Sequence, residues 1–407
     1  MTLLISFAAL FVSVFLLQLG LGGVVPLDAL SGTELGFTAE QIGTMGSMHF
    51  VGFFIGCWWA PRMMGEVGHA RAFAVFTALG AIGLLSHMLW IDATAWAVMR
   101  LATGLCVAGC YTIIEAWLNT RATNENRGRV TAAYRIVDLG GSLAAQLLIG
   151  VLEPAHYVSY NILAILCCAA ILPLGLTRAP QPGMPEAPRL RPGLAWRCSP
   201  LGVVGVAVSG VTSAAFRMVG PVYGAEVGLA TDEIAGFLAI YVFGGAIAQF
   251  PLGWLADRYD RRWVLTLISA GAIAASGLTV ATAGAGFAAV MGAAALFGFA
   301  TMPVFSLAAA HAHDFASDEE RVELSAALMF FYAVGAIASP LLTSQLIALY
   351  GPPALFGFIA AVHLGLIGFG IVRMRARKTV GERTAYVYAP RTSFTFGRLY
   401  RRMRRRR

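Results

Sequence analysis

The chain is poor in charge, since only 12% of its 407 residues are Asp, Glu, Lys or Arg, about half the share found in soluble proteins. It has a single lysine, Lys378, and no glycine-rich loop precedes that lysine. An ATP-driven pump needs a phosphate-binding loop with a lysine after its glycines. ATP-driven transport by this polypeptide alone is therefore excluded. H-E-x-x-H and G-x-S-x-G motifs are also missing, so we expect no enzymatic activity, no metal and no cofactor.

What the chain has instead is a series of long apolar stretches. Hydrophobic residues make up 58% of it, and a membrane-spanning helix needs roughly 20 of them in a row. The predicted spans are 3–26, 41–61, 70–90, 94–119, 130–151, 157–177, 200–223, 233–255, 263–283, 286–310, 323–349 and 353–373. These stretches lack the alternation of barrel strands. They therefore predict an all-α polytopic membrane protein with about 12 transmembrane helices.

Positive charge falls on alternate loops between the apolar stretches. The loops around 62–71, 121–129, 178–197, 258–262 and 321, with the tail from Arg373, carry all but three of the 29 basic residues. The loops around 27–40, 91–93, 152–156 and 224–233 carry acidic residues and no Lys or Arg. Because Lys and Arg resist translocation, the basic loops and both termini are predicted to be cytoplasmic, in a plasma or inner membrane.

The chain divides into two halves that echo one another. Six prolines between 180 and 200 predict a non-helical linker, and similar segments recur at an offset of 192–194 residues. The predicted domains are a six-helix bundle at 1–177, a Pro-rich cytoplasmic linker at 178–199, a second six-helix bundle at 200–374 and a basic cytoplasmic tail at 375–407. Internal repetition with a binding site between the repeats is typical of secondary transporters.

A short segment between the eighth and ninth spans reads GWLADRYDRR at 253–262. It is similar to the cytoplasmic signature of the major facilitator superfamily, G-x-L-a-D-r-x-G-r-r, with Asp260 where a glycine is usual. The resemblance implies two pseudo-symmetric bundles and a conformational latch in this segment. The implied latch residues are Gly253, Asp257, Arg258, Arg261 and Arg262.

The resemblance extends to the fourth span, where Arg100 and Gly104 match the R-x-x-x-G element of the family. It implies that Arg100 faces the central cavity, while a position near the outer interface is the alternative. The sequences EAWLN at 115–119 and NRGR at 126–129 look closest to the YcaD-like branch, which some bacterial riboflavin importers also resemble. The resemblance covers the whole length of the chain.

Charged residues within the spans are the candidates for proton coupling. Arg135 and Asp138 are three residues apart on one predicted helix, so they share a face, and Glu115 lies near the inner end of the fourth span. A carboxylate whose solvation or partner changes during transport can bind and release a proton in each cycle. Asp138 is the first candidate and Glu115 the second. Static ion pairs that orient helices are the alternative reading.

Other polar residues in the spans are candidates for solute contacts. Arg217, in the seventh span, either meets an anionic or carbonyl-rich solute or points toward outer headgroups, and Arg135 is a further cavity candidate. Gln18 and Tyr241 are predicted to line the cavity, with interhelical hydrogen bonds as the alternative.

The cytoplasmic side carries two further features. His311, His313 and Asp314 lack a fourth convergent ligand, so we expect a solvated loop there and not a metal site. The basic tail carries Phe394, Phe396, Leu399 and Tyr400 before its run of arginines. Such a tail is expected on anionic lipid headgroups or free in solution, and its charge does not indicate nucleic acid.

Together these patterns predict a secondary active transporter of a small organic solute that works by alternating access and is driven by protons. Riboflavin uptake is the specific substrate hypothesis. It rests on the family resemblance and on aromatic residues able to stack on a flat ring, namely Tyr111, Phe216, Tyr223 and Tyr241. Efflux of amphiphilic compounds or drugs by proton antiport is the first alternative. A membrane receptor or scaffold that does not transport is the second.

Overall fold

Sixteen α-helices make up most of the described chain, and no β-strand occurs in it. The computed structural model describes residues 2–122, 127–176, 189–376, 383–389, 391, 394 and 396–400. The helices are α1 Thr2–Gly22, α2 Val24–Glu34, α3 Ala39–Val67, α4 His69–Ser86, α5 Ala93–Arg121, α6 Arg127–Ile149, α7 Tyr157–Ala169, α8 Ile171–Gly175, α9 Pro192–Cys198, α10 Pro200–Glu226, α11 Thr231–Arg258, α12 Arg261–Ala281, α13 Phe287–Thr301, α14 Val304–His313, α15 Arg321–Tyr350 and α16 Ala354–Ala376. A 3₁₀ turn follows at Phe396–Leu399.

Ten helical segments of the described chain are long and apolar enough to cross a membrane by length and composition. Three of them join consecutive helices, namely α1 with α2, α7 with α8, and α13 with α14. Helix α3, with 29 residues, and helix α6, with 23 residues, also have the length of a span. Helix α6 is more polar because it contains Arg129, Arg135 and Asp138. With these two, about twelve transmembrane helices are present, and the predicted all-α membrane fold is confirmed.

The first span runs further than the sequence predicted. Helical hydrogen bonding continues past Gly23, whose carbonyl accepts from Leu27 N at 3.1 Å, and α2 ends only at Glu34. The acidic loop expected at 27–40 is therefore reduced to the turn at 35–38. Asp28 lies within the helix and is fully buried, so its assignment to an outer loop was wrong.

The chain separates into two compact units. Unit 1 comprises Met1–Ala187 with Leu229–Ala239, and unit 2 comprises Pro188–Gly228 with Ile240–Arg407. The predicted linker at 178–199 contains a short helix, α9, which begins at Pro192. Proline is tolerated at the first position of a helix, so the six prolines did not exclude a helix from the whole segment. Residues 178–188 of the linker lie outside the described residues, and the predicted four-part division of the chain stays a prediction.

Local sequence signals set where several helices begin. Thr38 and Gln41 form a capping box at the start of α3, with Thr38 N donating to Gln41 Oε1 at 2.8 Å. Asp92 accepts from the first turn of α5, and Ser199 Oγ accepts from Gly202 N at 2.9 Å at the start of α10. Each cap satisfies a main-chain N–H group that has no partner within its helix.

Both units contain a close helix crossing built on a pair of glycines. In unit 1, a Cβ added at Gly52 of α3 or at Gly104 of α5 would overlap a main-chain carbonyl of the other helix. In unit 2, Gly244 of α11 and Gly298 of α13 make the same crossing, at the 192- and 194-residue offsets of the sequence repeat. Small residues permit this approach between membrane helices, so the sequence repeat corresponds to a repeated packing contact.

Candidate transport site and signature segment

A buried carboxylate lies in the middle of α6, where Asp138 is only 8% exposed. Its Oδ1 atom accepts hydrogen bonds from Gln18 Nε2 at 2.8 Å and from Tyr111 Oη at 2.7 Å. Its Oδ2 atom lies 3.8 Å from Nη1 of Arg135, one turn earlier on the same helix. The two oxygens are therefore engaged differently, one by neutral donors and the other by a cation. We call these four residues the Asp138 cluster.

A second polar cluster of unit 1 is completely buried. Asp28 of α2 and Arg100 of α5 are both 0% exposed, and Asp28 Oδ2 lies 3.4 Å from Arg100 Nε. The same oxygen lies 3.3 Å from His87 Nε2, and Asp28 Oδ1 accepts from Tyr160 Oη at 2.9 Å. The ring of His87 stacks on Tyr160 at 5.0 Å. An arginine within a span costs about 2.5–3.5 kcal/mol to insert, and the Asp28 carboxylate offsets that cost here.

The signature segment at the end of α11 is organised around Arg261, which is 2% exposed. Its Nη1 atom donates to Asp314 Oδ1 at 2.8 Å, and its Nη2 atom donates to Asp257 Oδ1 at 3.2 Å. A Cβ added at Gly253 would lie 2.7 Å from the ring of Tyr386, which belongs to the C-terminal tail. Within unit 2, the acidic and basic residues of the segment are thus bound to one another and to the tail.

The remaining basic residues of the segment have local partners. The Arg258 guanidinium lies over the Trp254 ring at 5.3 Å, and Arg262 Nη2 donates to Asp260 Oδ2 at 2.7 Å. Although partial burial raises the pKa of the Asp260 carboxyl, the hydrogen bonds and charge of Arg262 outweigh it and lower that pKa below its ordinary value of 3.8. Asp260, which replaces the usual glycine, also caps α12 by accepting from Arg262 N at 3.0 Å.

Comparisons with known proteins agree with this architecture. The sequence profile of the Major Facilitator Superfamily matches residues 202–407. An uncharacterised MFS-type transporter of Yersinia pestis is 31% identical over 352 residues, which cover 85% of this chain and 88% of the relative. The chain belongs to the major facilitator superfamily. The MFS-type transporter YcaD of Escherichia fergusonii is 29% identical over 328 residues, covering 79% of this chain and 84% of the relative, which confirms the resemblance to the YcaD-like branch.

Two solved transporters share the fold. The nucleoside transporter NupG superposes with a TM-score of 0.73 at 14% identity, covering 91% of this chain and 99% of that one. An inward-facing bacterial homologue of the human lysosomal transporter Spinster gives a TM-score of 0.65 at 15% identity, covering 91% and 94%. At these identities the likeness concerns the fold alone. Its membership of the superfamily makes the chain a multi-pass membrane transporter and not an enzyme.

Within this superfamily fold, Glu115 occupies a different setting from Asp138. It is 4% exposed in α5 and lies within electrostatic range of the Cys57 thiol of α3. The Arg129 side chain, an expected neighbour, is exposed, and that of Arg127 lies outside the described residues. The roles proposed from sequence for Glu115 and Asp138 in proton coupling both stay predictions.

The two candidates in unit 2 differ in exposure. Arg217 of α10 is exposed on the surface of its unit, whereas Tyr241 of α11 is 5% exposed and its ring lies 4.2 Å from that of Phe216. Phe216 also packs on Phe297, and Tyr223 packs on Phe356 at 4.8 Å. The rings of Phe216 and Tyr223 therefore belong to the packed core of the unit, and of the four aromatic candidates only Tyr111 joins a polar cluster of unit 1.

The expectation of a solvated loop at the end of α14 was wrong. His313 is fully buried and its Nε2 atom lies 3.2 Å from Ser325 Oγ, while His311 and Asp314 are 8% and 7% exposed. Burial raises the pKa of the Asp314 carboxyl above its ordinary value, against the lowering effect of the nearby Arg261. Among the described residues, no group of three or more His, Cys, Asp or Glu side chains is arranged to hold a metal ion.

Sequence reasoning missed Asp28, His87 and Tyr160 as partners of Arg100. A signal for Asp28 was present, because the apolar run from residue 3 continues through Leu27, Ala29 and Leu30. A single acid inside such a run needs a cationic partner, and Arg100 is an arginine within another predicted span of the same half. His87 and Tyr160 carry no comparable signal, since isolated His and Tyr residues are common at the ends of spans.

Proposed function

We propose that this transporter imports a small heterocyclic solute together with protons across the bacterial inner membrane, by alternating access. The Asp138 cluster carries the proposal. It joins a carboxylate able to hold a proton, a guanidinium able to bind a carbonyl or anionic group, and two further polar side chains. The same cluster is formed by three different spans, α1, α5 and α6, so a change in the packing of these helices alters it.

The 3.8 Å separation between Arg135 and Asp138 suggests how proton and solute binding are linked. When a solute carbonyl takes over the guanidinium of Arg135, Asp138 Oδ2 loses its counter-charge. An isolated buried carboxylate is costly, so Asp138 then takes up a proton, while Gln18 continues to donate to Oδ1. Proton and solute thus bind together, which is the requirement for symport. The linkage acts in both directions because coupling between two binding sites is reciprocal.

Riboflavin is the solute that we propose for this site. Its flat ring carries two carbonyl groups, which suit the Arg135 guanidinium, and its faces suit the nearby Tyr111 and Tyr134 rings. Arg135 already lies over the Tyr134 ring at 4.7 Å. The resemblance of the YcaD-like branch to some riboflavin importers supports the same choice. The second polar cluster, formed by Asp28, His87, Arg100 and Tyr160, is assigned a structural role, because all of its charged groups are fully buried.

The test is uptake of labelled riboflavin in a flavin-auxotrophic host that lacks its own transporter. Wild-type chain, Asp138→Asn and Glu153→Gln are compared with and without a protonophore. Asp138→Asn keeps the shape of the side chain but cannot ionise, and Glu153 is an exposed carboxylate that serves as the matched control. We expect wild-type and Glu153→Gln uptake to be abolished by the protonophore, and Asp138→Asn to give no accumulation against a gradient.

Three other outcomes have distinct meanings. Protonophore-insensitive uptake in all three chains would reject proton coupling and leave facilitated diffusion. No uptake above the empty vector, with normal amounts of protein in the membrane, would reject riboflavin. Resistance of expressing cells to amphiphilic toxins would then favour the efflux alternative.

A further inference from the structure

The C-terminal tail returns to unit 2 and binds the signature segment. We call its described residues between Arg383 and Tyr400 the strap. Thr384 is 1% exposed, and its N and Oγ1 atoms donate to Asp314 Oδ1 at 2.8 and 2.9 Å. Arg261 Nη1 donates to Thr384 Oγ1 at 3.0 Å, and Arg261 Nη2 donates to the Thr384 carbonyl. The ion pair between Arg261 and Asp314 is therefore also the first anchor of the strap.

A second anchor lies two residues further along the strap. Tyr386 N donates to Asp257 Oδ1 at 2.8 Å, and Tyr386 Oη donates to Gln249 Oε1 at 2.7 Å. The ring fits over Gly253, where a Cβ would lie 2.7 Å from Cδ1 of the ring. In this structure the signature aspartate and glycine thus accommodate a segment of the chain's own tail.

The strap then passes along the face of unit 2 formed by α11, α14 and α15. Ala389 N donates to Ser306 Oγ of α14 at 3.1 Å. The Arg391 guanidinium lies within electrostatic range of Tyr332 of α15 and of Tyr241 of α11. The strap thereby reaches Tyr241, which the sequence predicted as a solute contact.

A third anchor closes the far end of the strap. The Tyr400 ring stacks on His313 at 4.2 Å with an interplanar angle of 17°, and the Tyr400 carbonyl accepts from Arg321. Gly397 lies so close to the Arg321 carbonyl and to Ser325 Oγ that a Cβ at this position would overlap both. Only glycine fits this contact. The buried Phe394, Phe396 and Tyr400 correct the expectation that these rings rest on lipid headgroups; Arg401–Arg407 lie outside the described residues.

We propose that the strap is an autoinhibitory plug, which covers the Tyr241 face of unit 2 and holds the signature segment until it is released. The proposal rests on the proposed transport function and takes Tyr241 as a solute contact, as the sequence predicts. Three features support it. The anchors engage the signature residues themselves, and main-chain N–H groups of the strap donate to Asp257, Asp314 and Ser306. A tethered segment also competes at a high effective concentration. Solute access and strap docking are then mutually exclusive.

Docking is tested first on the purified full-length protein by limited trypsin digestion and intact-mass analysis. In the docked strap the bond after Arg391 is protected relative to the same bond in chains whose strap is undocked. Gly397→Ala and Thr384→Val should increase cleavage after Arg391 by about tenfold or more, since cleavage follows the opened fraction. Thr384→Ser keeps the hydroxyl group, and Gly365→Ala adds a methyl group where no atom lies within 4 Å; both should behave as wild type.

Plugging is tested without any solute, by labelling Ser306→Cys with a charged maleimide and subtracting the labelling of the native cysteines. Ala389 of the strap covers this position, so labelling should be slow in the otherwise wild-type chain and roughly tenfold faster when Gly397→Ala or Thr384→Val is added. Gly365→Ala should leave it slow. Cleavage after Arg391 that is equally fast in the wild-type chain and in Gly397→Ala, or labelling that is the same in both, would overturn the proposal.

Transport supplies the functional readout. The initial rate of uptake should rise severalfold in Gly397→Ala and Thr384→Val, and stay at the wild-type level in Thr384→Ser and Gly365→Ala. A lower rate together with a lower unfolding temperature in the undocked variants would make the strap a permanent structural element and overturn the plug. If riboflavin is not transported by any variant, the riboflavin proposal fails, while the proteolysis and labelling results still decide the plug.

Discussion

The buried pair of Asp28 and Arg100 leads to a prediction about stability that separates charge from shape. Asp28→Asn keeps the size of the side chain and an acceptor for Tyr160, but it removes the negative charge. Because both partners are 0% exposed, Arg100 is then left as a buried cation without its carboxylate. Breaking a buried pair in this way costs about 3–5 kcal/mol.

The double variant provides the sharper measurement. Arg100→Met alone leaves the Asp28 carboxylate without its cation and should also cost about 3–5 kcal/mol. The combination of Asp28→Asn with Arg100→Met removes both charges, so it should be less destabilised than either single variant. The interaction energy from this double-mutant cycle is expected to be about 3 kcal/mol.

The assay is thermal or denaturant unfolding of the purified protein, followed by tryptophan fluorescence. Arg191→Met serves as the control, because the Arg191 side chain is 51% exposed in its pair with Glu323 and exposed ion pairs contribute little to stability. Losses that simply add in the Asp28 and Arg100 variants would show that the two charges do not interact, and the reasoning would be refuted. A loss below about 1 kcal/mol for Asp28→Asn alone would have the same meaning.

Three further predictions concern local contacts. Gly104→Ala forces a methyl group into a main-chain carbonyl of the facing helix and should cost at least about 1–3 kcal/mol of stability. Gly140→Ala, where no atom lies within 4 Å, should be neutral or stabilise α6 by up to about 1 kcal/mol. The unfolding temperatures of the two variants test this difference. Ser199→Ala removes the cap of α10 and should cost about 1 kcal/mol, while Ser199→Asp should retain most of the stability in the same melt. Because the pKa of Asp260 is lowered in the folded protein, its pairing with Arg262 stabilises the fold fully above the ordinary pKa of 3.8, and this stabilisation is lost as the pH falls through the lower folded-state pKa. Asp260→Asn should flatten this part of a stability-versus-pH curve, and an unchanged curve would contradict the assignment.

Much of the fold follows from local patterns. The apolar stretches identified most spans, because a segment in lipid must satisfy its own main-chain hydrogen bonds and only a helix of about 20 residues does so. The predictions fail at residues that usually end a helix. The pattern places Asp28 in a loop and Pro192 in a non-helical linker, although each lies in a helix.

The sequence predicted which residues belong to the candidate site, but not all of the contacts between them. Arg135 and Asp138 are three residues apart, so helical periodicity places them together, but nothing local joins them to Gln18 or Tyr111. Those contacts depend on how α1, α5 and α6 pack.

The amino-acid sequence by itself determined that this protein spans a membrane many times, that its halves repeat and which superfamily it resembles. These properties depend on the length, charge and glycine spacing of individual segments. Only the tertiary structure decided that Arg100 binds Asp28, that His313 and Asp314 are buried, and that Thr384 and Tyr386 bind the signature segment. The reason is that the burial and pairing of a charge depend on the groups that packing brings within a few ångströms, and these groups lie far apart along the chain.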